Sequence, residues 1–255
     1  MGEDWDYKAA DAFQVDAAFR LTHQLQLQQA RGEELPEEWA HLPTGAECFV
    51  EYVMADEVSG RQLVNGEHHI EWQRFFDRNR FGVILAPVGH GKTQQIAIGR
   101  CLYALGRNPS MRIGIICGNE GQAEERVTAI AQHIVGNQRL HKVFPNLRPS
   151  SNPRDKWSSS KITVERPMTG AKDPSVQAFG TGSGSIQGKR LDLIVMDDIL
   201  DEKNTRTPEA RKKVLMWFDV KVFTRLPPDG SGRIEVIGTP WHSDDLLHVL
   251  ADRSD

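Results

Sequence analysis

The chain has 255 residues, of which 39% are hydrophobic and 26% charged, and its formal net charge is −4. That is enough for one large α/β domain with an appendage and argues against global disorder; no overall basic field advertises nucleic acid, although a local basic face would suffice. No apolar run approaches the roughly 18 residues of a membrane span, the acidic start Met1 to Asp6 is unlike a secretory signal, and Cys48, Cys101 and Cys117 are too widely spaced for a metal-ligand pattern and read as buried reduced thiols.

In chain order, Gln14 to Ala30 carries Val15, Ala18, Phe19, Leu21, Leu25 and Leu27 at helical spacing and ends near Gly32. An acidic break with Pro36 follows, then Pro43-Thr44-Gly45. Residues 1–65 therefore read as a helical appendage, either packed on the core or reserved for a partner. From residue 66 to 255 strands and helices alternate. Val83-Ile84-Leu85, Arg112 to Cys117, Leu191 to Met196 and Ile234 to Ile237 are apolar strands; Lys161 to Glu165 and Ser175 to Phe179 are short alternating ones, a candidate hairpin. Gln94 to Leu105, Glu120 to Val135 and Ala210 to Phe223 have helical spacing. Short apolar strands alternating with helices predict a mostly parallel central sheet with helices on both faces. Pro145 to Ser160 reads as an exposed loop, and Gly180 to Arg190 as a polar stretch with a basic end, either a phosphate contact or a mobile linker.

Three motifs carry chemistry. Ala86-Pro87-Val88-Gly89-His90-Gly91-Lys92-Thr93 follows a strand and opens a helix. This is the layout of a phosphate-binding loop: the backbone N–H groups of Val88, Gly89, His90 and Gly91 wrap phosphates, Lys92 reaches the β- and γ-phosphates, and Thr93 binds Mg²⁺. Ala86 stands where the usual pattern has glycine, which is tolerable if its backbone stays in an allowed region. The strand Leu193 to Met196 ends in Asp197-Asp198. One carboxylate at such a strand end can sit beside Mg²⁺, which suits Asp197, and the next can activate water, which makes Asp198 the first candidate base with Asp201 and Glu202 behind it. Lys92 and Asp197 are far enough apart for a whole strand–helix unit between them, which suggests the helicase-like and motor branch of these ATPases, the RecA-like/ASCE type, by fold analogy. The strand ending in Gly238-Thr239-Pro240 offers Thr239 as a γ-phosphate sensor; the plainer reading is a strand-to-helix turn with Ser243 as N-cap.

Taken together, Ser185 to Asp198, Trp217-Phe218, Thr224-Arg225-Leu226 and Gly238 to Leu246 resemble the large terminase subunit of tailed double-stranded DNA bacteriophages, over roughly residues 66 to 250. The resemblance implies an ATPase motor that uses ATP and Mg²⁺ to push double-stranded DNA into a procapsid. The implied partners are DNA, the portal of the procapsid, a small terminase subunit and other copies of the chain in a ring, with a monomer in isolation left open. The implied location is the host cytoplasm, at the portal vertex. Lys92 and Thr93 would hold nucleotide and Mg²⁺, Asp197 and Asp198 would be the Walker B acids, and Gly238-Thr239-Pro240 would be the coupling motif. His69, Trp72 and Gln73 would stand at the adenine, with Gln73 the best match to its edge.

The departures are specific. Many relatives have Arg where Val88 stands, and often Arg where Gln187 stands. Arg190 and Arg225 are then the candidates for the charge-stabilising arginine. Arg225 could act in trans between subunits or in a salt bridge within the fold. A C-terminal nuclease with clustered acids is usual; Asp244, Asp245, Asp252 and Asp255 do not replace it, so the expectation is an isolated ATPase part without nuclease activity. Arg148, Arg154, Lys156 and Lys161 are candidate DNA contacts or simply a solvated charged loop. The rival readings are a helicase or remodelling ATPase, which would need a second RecA-like domain, and an assembly adaptor that binds nucleotide without hydrolysing it.

Overall fold

A computed structural model describes residues 20–55, 59–167 and 171–253. The start of the predicted N-terminal helix, residues 14–19, and Asp255 lie outside them. Residues 20–31 are helical (α1), and Ala46–Val53 (α2) and Glu67–Arg78 (α3) follow. The strands are Phe81–Leu85 (β1), Ile113–Cys117 (β2), Lys161–Ile162 (β3), Val176–Gly180 (β4), Leu193–Asp197 (β5) and Arg233–Gly238 (β6). The segment Thr93–Arg100, wound as a π-helix, runs on into Cys101–Arg107, and the two are treated as α4. The remaining helices are Glu120–Gly136 (α5), Gln138–Val143 (α6), Glu202–Thr205 (α7), Pro208–Trp217 (α8) and Leu246–Ala251 (α9). None of the described helices is long and apolar enough to cross a membrane.

The sheet has the order β1-β6-β5-β2-β4-β3. All its pairs are parallel except β3 with β4, which run antiparallel through Lys161 opposite Gln177. The candidate hairpin is therefore a real pairing, but shorter than its sequence pattern. Between Ile162 and β4 the described chain makes a single bridge, Val164 to Pro149, while Ile162 itself also bridges Trp157. β4 is buried throughout despite its alternating sequence, because β2 and β3 flank it and helices cover the sheet.

Successive side chains of a strand point to opposite faces, and each face has its own apolar core. Ile113, Ile115, Leu193, Val195 and Ile237 meet Phe49, Phe76, Ile96, Leu102 and Ile130 on one side. Ile116, Ile194, Met196, Ile234 and Val236 meet Trp217, Phe218, Val222 and Leu246 on the other. Helices on both faces and a mostly parallel sheet agree with the sequence reading.

One charged residue points into the first core. Glu235 on β6 is fully buried and receives a two-pronged bond from Arg100 on α4, with Nε–Oε2 2.8 Å and Nη2–Oε1 2.9 Å. Arg100 also donates to Asp77 of α3 at 3.0 Å and to the Gln73 side chain at 3.0 Å. A buried carboxylate is tolerable only with such a partner, and here the pairing welds α3, α4 and β6.

The N-terminal segment is not separate in packing. Phe49, Val50 and Val53 of α2 and Ala30 of α1 belong to the first core. Gly99 makes this possible, since a Cβ there would stand 2.7 Å from the Val50 side chain. Arg74 of α3 clasps Glu47 of α2 at 2.8 and 3.0 Å, and Arg31 donates to the carbonyls of Val143 and Lys142. Of the two options left open for this segment, packing on the core is the one seen.

Candidate functional site

The register brings three strand ends to one level: Leu85 lies opposite Gly238, and Ile237 opposite Asp197. The loop after β1 turns back on itself through Gly89 (φ 84°) and Gly91 (φ 72°), a left-handed backbone that favours glycine. Ala86 needs no such freedom: among the described non-glycine residues only Asp198 has a positive φ, 47°. Ala86 is instead a buried core residue whose N–H donates to Gly238 O at 3.0 Å.

At this level the predicted residues converge. Lys92 is buried, and its Nζ donates to Ala86 O (3.0 Å) and to Thr239 Oγ1 (2.7 Å) and stands 3.2 Å from Asp198 Oδ1. Thr239 in turn donates its hydroxyl to Ala86 O at 3.2 Å and its N–H to Asp198 Oδ1 at 3.1 Å. Beside this cluster, Thr93 Oγ1 donates to Asp197 Oδ2 at 2.9 Å. Asp197 is completely buried, and its second oxygen, Oδ1, has no hydrogen-bond partner. Burial raises the Asp197 carboxyl above the ordinary range, against the opposing pull of Arg126.

Arg126 is the residue that the motifs did not reveal. It lies on the first turns of α5, and its Nε is 3.2 Å from Asp197 Oδ2. Asn119 fixes the start of that helix, accepting from Gln122 N–H at 3.0 Å. The only sequence signal is position: Arg126 falls between the inward-facing Ala123 and Val127, at the rim of an apolar stripe.

The other predicted residues sort by place. His69 receives the Gly66 N–H on Nδ1 (3.1 Å), so its neutral ring carries the proton on Nε2 and donates it to His90 O (3.0 Å). This ties the start of α3 to the loop. Burial keeps the His69 imidazole below its ordinary value, against the His90 carbonyl bond. Trp72 packs edge-on to His68 and His69. Gln73 does not face the loop. It is wholly buried, its Nε2 donating to Gln95 and its oxygen accepting from Arg100, so its amide has no free edge for an adenine in this arrangement. Val88 is 81% exposed on the outer rim of the loop.

Arg190 and Arg225 are not at the site. Leu191 N–H bonds Arg225 O at 3.0 Å, so both arginines stand at the opposite end of β5 from Asp197. Six residue steps along β5 and the two residues before it separate Leu191 from Asp197, about 20 Å. Neither can reach the phosphate loop of its own chain. Among the described residues Arg225 makes no salt bridge; its Nη2 donates to Thr224 Oγ1. Asp201 caps α7, accepting from Asn204 N–H at 2.8 Å, and Glu202 is exposed beside Arg206. That leaves Asp198 as the acid nearest Lys92. Asp245, not Ser243, caps α9; despite its burial, backbone N–H groups of Trp241, His248 and His242 hold its carboxyl low. Gly180 to Arg190 is anchored rather than loose: Ile186 is buried and Trp217 Nε1 donates to Ser183 O at 2.9 Å.

No described group of three or more His, Cys, Asp or Glu could hold a metal alone. Thr93 with Asp197 is the kind of partial oxygen set that Mg²⁺ shares with phosphates and water, and the orphaned Asp197 Oδ1 is a buried acceptor in want of such a partner. A cleft of about 550 Å³ opens between the Thr181-Gly182 turn and α8, with Lys213 and Trp217 in its wall, and neither Thr93 nor Asp197 lines it.

The comparison with known families decides the identity. A profile described as "Terminase large subunit, T4likevirus-type, N-terminal" matches residues 83–248. The chain belongs to the terminase large-subunit family. It is 29% identical over 177 residues to the "Terminase, large subunit" of Enterobacteria phage T3, a match that takes in 69% of this chain and 28% of that protein. Its fold is similar to that in the crystal structure of the HK97 bacteriophage large terminase, with a TM-score of 0.56 at 14% identity, over 80% of this chain and 39% of that one. The terminase chain described here thus spans well under half the length of these relatives.

Proposed function

We propose that this chain is the ATP-hydrolysing motor part of a DNA-packaging terminase, with a P-loop fold of the RecA-like/ASCE type. The observation that carries the reading is the meeting of Lys92, Thr93, Asp197, Asp198 and Thr239 at adjoining strand ends, with β6 between the loop strand and the acid strand. Lys92 would lie along the β- and γ-phosphates, and the backbone of Val88 to Gly91 would wrap them. Thr93 and Asp197 would hold Mg²⁺, which when bound neutralises charge on the phosphates. Asp198 would orient the attacking water and take its proton, after handing Lys92 over to nucleotide. Thr239, bonded at once to Lys92, Asp198 and Ala86, would register the change and pass it along β6.

Membership in the terminase large-subunit family supports, as part of the same proposal, packaging of double-stranded DNA into a procapsid, with portal and small terminase subunit as partners and copies of the chain in a ring. DNA contacts in such a motor would be chiefly to phosphates and weakened by salt. Arg148, Arg154, Lys156 and Lys161 are all exposed and available to them. An arginine finger, if Arg190 or Arg225 supplies one, would have to come from a neighbouring subunit. The division at residue 65 is retained only as a functional one.

One observation favours the adaptor reading: Asp198 Oδ1 is already engaged by Lys92 and the Thr239 N–H. ATP turnover with and without DNA, in wild type and in Asp198→Ala, separates the two. A motor loses turnover by about 10²-fold or more in the variant; equal and negligible turnover in both makes the chain an adaptor.

A further inference from the structure

We propose that Arg126 is the counter-ion of the metal seat, competing with the divalent cation for Asp197 and leaving it when metal and nucleotide bind. The inference rests on the reading of Asp197 as the metal acid. Asp197 is fully buried, and Thr93, its other side-chain partner, is neutral. A buried carboxylate needs a positive partner, and Arg126 is the one that reaches it, at 3.2 Å. The same oxygen, Oδ2, carries both Thr93 and Arg126. A cation drawn to Thr93 and to the free Oδ1 of Asp197 would therefore share one carboxylate with the guanidinium, and the two positive charges would repel each other across it.

The guanidinium also has somewhere to go. Its Nη1 already bonds Glu125 Oε2 at 3.2 Å, and the Glu125 side chain is 73% exposed. Arg126 can slide outward onto Glu125 without losing a carboxylate partner, while Asp197 turns to the metal. The freed charge stays at the mouth of the site, which bears on the positive charge that Val88 does not supply.

The test measures metal binding rather than turnover. In the absence of nucleotide, Mn²⁺ affinity read by electron paramagnetic resonance should rise about tenfold in Arg126→Gln, the factor that about 1.4 kcal/mol carries. In wild type, the Arg126 Nε–H resonance, assigned by its loss in Arg126→Lys, should move when Mg²⁺ and a non-hydrolysable ATP analogue are added. An unchanged or weaker Mn²⁺ affinity in folded Arg126→Gln overturns the proposal. So does a resonance that stays put while Mg²⁺ and nucleotide bind, a result that does not depend on any variant folding. Asp197→Asn separates the two levels: if it binds Mn²⁺ as wild type does, the metal assignment itself is wrong and the inference goes with it.

Discussion

Lys92 illustrates how a buried charge is satisfied within the fold. Its ammonium is buried against two carbonyl oxygens, a hydroxyl and a carboxylate, so the charge is compensated by the chain's own groups. Lys92→Ala should therefore abolish nucleotide binding, measured by fluorescence of a labelled ATP analogue, because no other side chain in the loop can take its place. His69 gives a pH prediction. Its folded-state value lies below the unfolded one, near 6.5, so the neutral ring is the form that the fold favours. Its contribution is complete above the unfolded value and is lost as pH falls through the lower, folded one. Thermal melts should show stability declining below about pH 6.5, with a smaller slope in His69→Ala; identical slopes would separate this ring from the effect. At this scale the sequence was legible where chemistry needs a fixed residue type at a fixed offset. Lys92, Thr93, Asp197 and Thr239 are such cases. Arg126 was not, because one arginine on an amphipathic helix looks like any other solvated residue until a strand from elsewhere brings Asp197 beneath it. Gln73 shows the converse: a good hydrogen-bonding side chain is engaged by Arg100 and Gln95 from another helix, which its position in the sequence does not reveal.

Among the elements, the weld of α3, α4 and β6 is the most exposed to single changes. Glu235→Ala leaves the Arg100 guanidinium buried against one remaining carboxylate, Asp77, and should cost about 3–5 kcal/mol by chemical denaturation. Exchanging both Arg100 and Glu235 for apolar residues of similar volume should cost much less, since no charge is stranded. Gly99→Ala presses a methyl group into Val50 where α2 crosses α4 and should cost about 1–3 kcal/mol. The strands and long helices were readable from apolar runs and helical spacing. The errors sit where pairing outranks pattern. β4 alternates in sequence, yet neighbours on both edges and helices above and below bury Gln177 with the rest. The plainer reading of the turn before α9 makes Ser243 its N-cap, but Asp245 collects three backbone N–H groups and holds the start of the helix.

On the scale of the whole molecule, the composition shift near residue 65 suggested a boundary that packing does not respect. Phe49 is completely buried in the core that also holds Phe76 and Leu102. Phe49→Ala should cost about 3–5 kcal/mol and lower the unfolding of the entire domain in one transition; a separate early transition would mean that α2 is an independent unit. Composition reports what a segment is made of, whereas the contacts that join it to the rest come from residues far along the chain, such as Arg31 with Val143. The sheet order has a consequence of its own. Because β6 lies between β1 and β5, the strand that leads into the loop and the strand that ends in the acid pair run two strand spacings apart, about 9–10 Å. That interval is set by backbone hydrogen bonds, the same for every side chain, so the sheet works as a ruler whose graduations mutation cannot redraw. Substitutions along β6 can weaken the molecule or silence Thr239, but wherever the fold survives, the two strands that present Lys92 and the acids to each other keep their spacing.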